Sequence, residues 1–97
     1  MNKIYSMLGL ARKGGKISIG FDVTVTEIKN KKSVLVLIAE DASEKTKKNI
    51  LYFCKNHNCE YIEYGEKELL GKSLGRKMVS VLSINDDNIA SYLLNNT

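Results

Sequence analysis

Two adjacent carboxylates, Glu40 and Asp41, directly follow an apolar run within the segment SVLVLIAEDASEKTKKNI, residues 33–50. Carboxylates at the carboxyl end of a parallel strand lie where open α/β sheets place their active sites. A hydrolase or phosphatase would need further carboxylates to hold Mg²⁺, or a nucleophile with its base. The other predicted strand ends, residues 64–65 and 84–87, do not supply such a set. We therefore expect a protein that is not an enzyme.

A second candidate for chemistry is the motif CKNHNC, which brings Cys54, His57 and Cys59 close together. Structural zinc usually takes four ligands from two paired motifs, and the sequence has neither a second pair nor another histidine. The single histidine also gives no specific sign of a Ser/His/Asp arrangement. Cys54 falls on the apolar face of its predicted helix, beside Ile50. We expect a buried thiol in a reducing compartment, with no metal and no cofactor.

Basic residues outnumber acidic ones, 15 to 11, and the net charge of +4 permits nucleic-acid binding without establishing it. The segment GLARKGGK lacks the spacing of a phosphate-binding P-loop and follows a helix rather than a strand. Cations beside glycine-rich loops and helix N-termini nevertheless suit phosphate groups. Four groups of cations stand at predicted helix ends or in loops: Arg12, Lys13 and Lys16; Lys29, Lys31 and Lys32; Lys45, Lys47 and Lys48; Lys72, Arg76 and Lys77.

The N-terminal segment MNKIYSMLGLARKGGK has the spacing of an amphipathic helix over about residues 2–13. It lacks the continuous apolar core of a secretory signal and the roughly 20 apolar residues of a membrane-spanning helix. We therefore expect a cytoplasmic protein. Its 97 residues are typical of one small domain, which we predict to cover residues 1–97.

Further along the chain, predicted strands alternate with predicted helices. The strands are KISI at a sheet edge, VLVLIA (34–39) at the centre, EYIEY (60–64) and MVSVLSI (78–84). The order predicts an α/β fold, a three-layer α/β/α sandwich around a four-stranded mixed sheet. Because crossovers that contain helices favour parallel neighbours, we expect mostly parallel pairs.

Local signals place the helices between these strands. One helix begins at Gly20 with a predicted buried stripe of Phe21, Val25 and Ile28. The next runs to about His57, and either Asp41, with Glu44 in a capping box, or Ser43 caps its start. A short helix follows and ends at Gly75. The last helix has a predicted apolar face of Ile89, Ala90, Leu93 and Leu94.

The segment LLGKSLGRKM combines two glycines with Leu74, Arg76 and Lys77. A loop with an apolar tip and flanking cations could pack on an extruded RNA base while it holds the backbone. A structural explanation is also available, in which Leu70 and Leu74 belong to the core and Gly75 caps a helix. For Leu70 and Gly75 we favour the structural role.

Three segments together resemble the ribosomal protein L7Ae/L30e family, whose members bind kink-turn RNA. They are GKISIGFDVTVTEI, LVLIAEDAS and ELLGKSLGRKMVSVLSI, in the order and spacing of that family. The segment LGLARKGGK is similar to the bacterial YlxQ-type branch. The resemblance spans nearly the whole chain and implies an α/β/α sandwich. It also implies an RNA surface formed by the helix start after Gly20, the loop at Glu40 and Asp41, and the loop from Leu74 to Lys77.

Typical kink-turn binders of this family begin that helix with Gly-Thr-Asn-Glu-x-x-Lys, whose side chains reach the sheared G·A pairs. The matching positions here are Gly20, Phe21, Asp22, Val23 and Thr26, so only the glycine is kept. An ionised Asp22 accepts hydrogen bonds but cannot donate them as an amide does. Val23 offers no polar atom, and Thr26 lacks the cation of the family's lysine.

From the resemblance we expect a non-enzymatic RNA-binding protein, ribosomal or ribosome-associated, that recognises structured RNA such as a kink-turn. Expected partners are this RNA and ribosomal proteins, with no membrane and a monomeric state. An alternative is a protein-interaction module on the same fold, which an exposed Phe21 and Val23 would favour. The predicted RNA-binding residues are Lys13, Lys16, Gly20, Phe21, Asp22, Val23, Thr26, Lys29, Lys31, Lys32, Glu40, Asp41, Leu74, Gly75, Arg76 and Lys77.

Overall fold

The computed structural model describes residues 3–97 and contains helices and strands in the predicted order. The predicted start of the first helix at Asn2 lies outside the described residues. Along the chain the elements are α1 Lys3–Lys13, β1 Ile17–Ile19, α2 Phe21–Lys29, β2 Leu35–Ile38, α3 Glu44–Asn56, β3 Glu60–Glu63, α4 Lys67–Leu74, β4 Val81–Ile84 and α5 Asp87–Asn96.

The four strands form one mixed sheet in the order β1-β4-β2-β3. Strand β4 runs antiparallel to β1 and to β2, whereas β2 and β3 are parallel. The mixed sheet and the edge position of KISI are therefore confirmed. The expectation of mostly parallel neighbours is wrong, because β4 enters between β1 and β2 in the opposite direction.

Helices cover both faces of the sheet, which confirms the three-layer sandwich. Helix α2 packs beside α3, while α1 packs against both α4 and α5. The central strands are buried on both faces, as the apolar run predicts: every residue of β2 and β4 is buried. Within residues 3–97 no helix has the length and apolar character needed to cross a membrane.

The buried faces of two helices differ from the predicted stripes. In α2 the buried residues are Thr24 and Ile28, four positions apart at the centre of the packed face. Phe21 and Val25 flank this centre and are half-buried. In α5 only Ala90 and Leu93 are buried, and Leu94 is 40% exposed. Leu94 lies outside the packed face because it follows Leu93 by one residue, about 100° around the helix.

Most of the loops of interest lie at one end of the strands, which we call the carboxyl edge of the sheet. It comprises the residues that follow β1, β2 and β3 and those that precede β4. The register aligns Ile38 with both Glu63 and Val81, and it pairs Ile19 with Leu82. The chain segments that leave these positions therefore begin side by side, although they are far apart in sequence.

Candidate nucleic-acid interface

The start of α2 lies at the carboxyl edge and is held there by Gly20. The Gly20 N–H donates to the Val81 carbonyl at 3.0 Å, and its own carbonyl accepts the Thr24 N–H at 3.1 Å. The backbone has φ 117° and ψ 162° at Gly20, a conformation that favours glycine. No side chain caps this helix. The first N–H groups of α2 thus remain available to an acceptor, at the positive end of the helix dipole.

Side chains of the first α2 turns divide into buried and exposed groups. Phe21 is half-buried and packs against the core. Asp22 is exposed, and Val23 is 39% exposed. The Thr26 hydroxyl donates to the Asp22 carbonyl at 3.1 Å, so it is engaged with its own helix. The outward chemistry of this turn is therefore one carboxylate and one small apolar group.

The two neighbouring acids of the β2–α3 loop have different environments. Glu40 is exposed, and its backbone is fixed by the Glu40 N–H bond to the Gly65 carbonyl at 2.8 Å. The Glu40 carbonyl accepts the Lys47 ammonium at 2.8 Å, and that ammonium also pairs with Glu63 at 3.2 Å. Lys47 therefore ties α3 to the loop and to β3, which explains a lysine in the opening turns of a helix.

Asp41 caps a different helix from the one that the sequence predicts. The cap of α3 is Ser43, whose hydroxyl accepts the Thr46 N–H at 3.1 Å. This decides between the two capping candidates. The Asp41 carboxylate instead accepts the Lys67 N–H at 2.8 Å, at the start of α4. The capping box with Glu44 is therefore wrong, and Asp41 satisfies a helix start that is 26 residues away.

The loop between α4 and β4 confirms the predicted role of Gly75 and contradicts that of Leu74. Gly75 adopts the left-handed conformation, with φ 70° and ψ 29°, and is the C-cap of α4. Leu74 is 1% exposed because it continues the buried face of Leu70 four residues on. The prediction of an exposed apolar tip at Leu74 is therefore wrong. The exposed apolar group of this loop is Met78, at 60%.

After Gly75 the chain returns along α4. The Arg76 N–H donates to the Gly71 carbonyl at 2.8 Å, and the Val79 N–H donates to the Lys67 carbonyl at 3.0 Å. A Cβ atom at Gly71 would lie 2.7 Å from the Arg76 carbonyl oxygen, so only glycine permits this close approach. This return explains why β4 begins at Val81 rather than at the predicted residue 78.

The predicted cations do not share one surface. Arg76 and Lys77 are exposed on the loop that returns to the carboxyl edge. Lys16 and the Lys29–Lys32 segment lie at the opposite edge of the sheet, where Lys16 precedes β1 and the Val34 N–H donates to the Ile84 carbonyl. The predicted RNA-binding cations therefore do not form one surface with the Gly20 helix start, because α2 runs from the carboxyl edge to the opposite edge.

Several of the distant cations have intramolecular contacts. Lys16 pairs with Asp86 at 3.8 Å, and the Lys31 ammonium donates to the His57 carbonyl at 3.3 Å. The Lys29 ammonium stands 5.2 Å from the centre of the Phe53 ring. Lys32 is exposed beside them. Lys13 lies elsewhere, in a groove between α1 and α4.

The cysteine motif forms a thiol pair at the opposite edge. Cys54 is fully buried, and the Cys59 thiol lies 3.6 Å from the Ser33 carbonyl oxygen. A hydrogen bond from the Cys54 thiol lowers the pKa of Cys59 to about 6, and the hydrogen bond with the Ser33 hydroxyl and the nearby Lys31 charge act in the same direction. The same bond, together with burial, raises the pKa of Cys54. Among residues 3–97 no three Cys, His, Asp or Glu side chains are placed to hold a metal.

A family model described as "Ribosomal protein L7Ae/L30e/S12e/Gadd45 family" matches residues 2–93. The chain belongs to this family. One relative, the RNA-binding protein YlxQ of Bacillus subtilis, is 32% identical over 90 residues, which cover 93% of this chain and 90% of the relative. The YlxQ protein of Enterococcus faecium is 42% identical over 48 residues, which cover 50% of this chain and 47% of the relative. The predicted family and its YlxQ-type branch are thereby confirmed.

The chain is also similar to a eukaryotic ribosomal protein and to two proteins of known structure. The large ribosomal subunit protein eL30 of Yarrowia lipolytica is 30% identical over 94 residues, covering 91% of this chain and 85% of that protein. A Bacillus halodurans protein of unknown function has a TM-score of 0.92 at 26% identity, over 98% of this chain and 96% of its own. A Giardia lamblia 15.5kD RNA binding protein shares the fold, with a TM-score of 0.77 at 19% identity, over 95% and 79% of the two chains.

Proposed function

We propose that this member of the family is a non-enzymatic protein that binds structured RNA through the carboxyl edge of its sheet. The observation that carries the proposal is geometric. The α2 start, the Glu40–Asp41 loop and the loop that follows Gly75 resemble the family's RNA-binding segments, and they lie together at that edge. The two YlxQ relatives are RNA-binding proteins by name, which supports the same function.

The chemistry of this edge suits an RNA backbone. Uncapped N–H groups at the start of α2 offer donors to a phosphate oxygen at the positive end of the helix dipole. Arg76 and Lys77 add exposed positive charge on the neighbouring loop. Because Gly75 and Gly71 fix the path of that loop, these contacts are arranged before RNA arrives, which lowers the ordering cost of binding.

The side chains of α2 lower the affinity that we expect for a kink-turn RNA. Each lost base-edge contact costs about 1–3 kcal/mol by analogy with DNA readout. Replacing the family's amide and acid with Asp22 and Val23 removes two such contacts, about 2–6 kcal/mol together, so we expect binding to be weaker by roughly 30-fold or more. We propose that the protein prefers a kinked RNA only moderately and that backbone contacts supply most of its affinity. The eL30 relative, a ribosomal subunit protein, supports a ribosomal RNA target.

The test is a titration of the intact protein with three labelled RNAs at several salt concentrations. The RNAs are a kink-turn, the same molecule with its G·A pairs replaced, and a plain duplex. Preference for the intact kink supports kink-turn recognition. Equal affinity with a steep salt dependence indicates electrostatic binding to any structured RNA. If none of the three binds at low salt, the proposed function is wrong.

A second candidate is a protein-interaction module on the same fold. The observation that favours it is exposed apolar surface at the carboxyl edge, where Val23 is 39% and Met78 is 60% exposed. Phe21 does not add to this surface because it packs against the core. Loss of a protein partner in a Val23→Ser and Met78→Ser variant, with RNA affinity unchanged, would favour this second function.

A further inference from the structure

A groove of about 520 Å³ separates α1 from α4 on the face of the sheet opposite α2 and α3. Its size is that of sites for drug-sized ligands, which occupy roughly 300–1,000 Å³. The two helices meet closely at Gly9, where a Cβ atom would lie 3.0 Å from the Ser73 carbonyl oxygen. Leu10 stands at the groove and is 65% exposed, so it offers apolar surface to an occupant.

The groove is distinctly basic. Arg12 and Lys13 of α1 and Lys72 of α4 line it, and no acidic residue does. All three cations are exposed. Within residues 3–97 no carboxylate lies within ion-pair distance of any of them. They differ in this from Lys16 and Lys47, which have carboxylate partners. The charge of the groove is therefore unbalanced and complements an anion.

The groove is continuous with the loop of the proposed RNA interface. Gly75 is a lining residue, and a Cβ atom placed on it would lie 3.8 Å from the Arg12 guanidinium. From Gly75 the chain passes through Arg76 and Lys77 and reaches the carboxyl edge at Val81. A strand of phosphates that follows these cations would thus pass from the carboxyl edge into the groove.

We propose that the α1–α4 groove binds a single-stranded arm of the same RNA that the carboxyl edge binds. This inference rests on the proposed function. Arg12, Lys13 and Lys72 contact the phosphates, and a base packs on Leu10. The occupant is a polyanion rather than a neutral ligand because three unpaired cations converge on one groove. It is one strand rather than a duplex because a groove of this volume accommodates a nucleotide, not two paired strands.

The experiment compares kink-turn RNAs with and without an arm of eight uridines, placed at the 5′ end in one molecule and at the 3′ end in another. The wild-type protein is expected to bind one armed RNA about tenfold more tightly than the unarmed RNA near 0.1 M salt. The variant Arg12→Gln/Lys72→Gln should lose that gain, and its salt slope on the armed RNA should fall by about 1.4. The control variant Lys48→Gln/Lys55→Gln removes the same charge from exposed positions of α3 and should keep the gain.

The outcomes separate this inference from the proposed function. If the unarmed RNA binds but neither arm tightens binding, or if the groove variant keeps the gain, the groove inference is wrong and the proposed function stands. If neither the kink-turn RNAs nor the plain duplex binds at low salt, the proposed function is wrong, and the eight-uridine strand alone is titrated against isotope-labelled protein. Shifts of the Gly9 and Gly75 amide signals that vanish in Arg12→Gln/Lys72→Gln would still support the groove. If the wild-type protein shows no such shifts, the groove inference is wrong. It is also wrong if the groove binds an acidic protein partner instead of RNA.

Discussion

Glu40 and Asp41 are neighbours in sequence, yet only Asp41 has a side chain that holds the fold together. Its carboxylate accepts the Lys67 N–H at the start of α4, where the side chain of the N-cap residue Glu66 makes no capping hydrogen bond. The Val79 N–H bonds the carbonyl of the same Lys67. Asp41 thereby positions both α4 and the loop that follows it. Glu40 contributes through its backbone and leaves its charge in solvent.

The first prediction separates these two acids. Asp41→Ala removes the acceptor of a helix-start N–H and should lower the free energy of unfolding by about 1 kcal/mol. Asp41→Asn keeps an acceptor and should retain most of that stability. Glu40→Ala is the matched control and should change stability by less than about 0.5 kcal/mol. Urea denaturation followed by circular dichroism measures all three. Equal losses in Asp41→Ala and Glu40→Ala would contradict the assignment.

The second prediction concerns the pH dependence of Cys59. Its pKa is lowered to about 6, so iodoacetamide should alkylate Cys59 at a rate that rises through pH 6 and levels off by pH 8. Fully buried Cys54 should stay unlabelled in the folded protein. In Cys54→Ala the donated hydrogen bond is lost, and the rise should move toward the usual thiol range. Mass spectrometry of labelled peptides provides the measurement.

The same shift has a defined effect on stability. A pKa that is lower in the folded state than in the unfolded state stabilises the fold most fully above the unfolded value, near 8.5 for a free thiol. This contribution of Cys59 is lost as the pH falls through about 6. The raised pKa of Cys54 has the opposite effect, because it lowers the stability of the fold once the pH rises above the ordinary pKa of a thiol. An alkylation profile like that of a free thiol would contradict both expectations.

Sequence patterns predicted the elements whose structure depends on their own residues. They failed where a contact with a distant segment determines the structure. Strand β2 is apolar on both faces and is buried throughout. The C-cap at Gly75 follows from the glycine alone. The partner of Asp41 could not be read locally, because Lys67 comes next to it only through the parallel β2–β3 pair and the turn at Gly65. Leu74 differs from Asp41, because its four-residue spacing from Leu70 is a local sign of burial, and it outweighs the exposure that the flanking cations suggest.

Helix α2 shows how a shared fold can present different chemistry. Its first residue after Gly20 is half-buried Phe21, and its outward groups are Asp22 and Val23. The Thr26 hydroxyl is bonded to its own helix. Backbone donors at this helix start are therefore kept, whereas the side-chain donors of typical kink-turn binders are absent.

The third prediction concerns a variant of α2 that restores part of the sequence typical of kink-turn binders. Asp22→Asn/Thr26→Lys adds an amide donor and a cation where that pattern has them, and it should tighten binding of an intact kink-turn RNA by roughly tenfold or more. The control Glu60→Gln/Asn95→Lys makes the same change of charge at exposed positions outside α2 and should tighten binding less than about threefold. Fluorescence anisotropy at fixed salt compares them. If both variants gain equally, or if the gain persists when the G·A pairs are replaced, the effect is electrostatic and the assignment of α2 as the reading helix is wrong.

At the scale of the whole molecule, cations that are grouped in sequence are divided between separate surfaces. Helix α2 starts at the carboxyl edge and ends at the opposite one, so clusters that are close in sequence become distant in space. Lys29 ends α2 at the opposite edge and Lys32 follows it there, while Arg76 and Lys77 follow α4 on the loop that leads to the carboxyl edge. Net charge and cluster positions in the sequence could not reveal this division, because it depends on strand order. That the chain forms one domain and acts as a monomer stays a prediction.

The last prediction uses this division to find which end of the molecule meets RNA. Arg76→Gln/Lys77→Gln and Lys29→Gln/Lys32→Gln each remove two positive charges from exposed positions, so both lower the long-range attraction equally. Only the first pair removes direct phosphate contacts under the proposed function. Its affinity for structured RNA should fall by roughly tenfold near 0.1 M salt and its salt slope by about 1.4 to 1.8, whereas the second pair should change affinity less than about threefold. The two variants are compared by titration across several salt concentrations, with unfolding measured to confirm that both are folded. A larger loss in Lys29→Gln/Lys32→Gln would move the interface to the opposite edge, because a pair of charges at the wrong end of the sheet cannot contribute a local contact to the carboxyl edge.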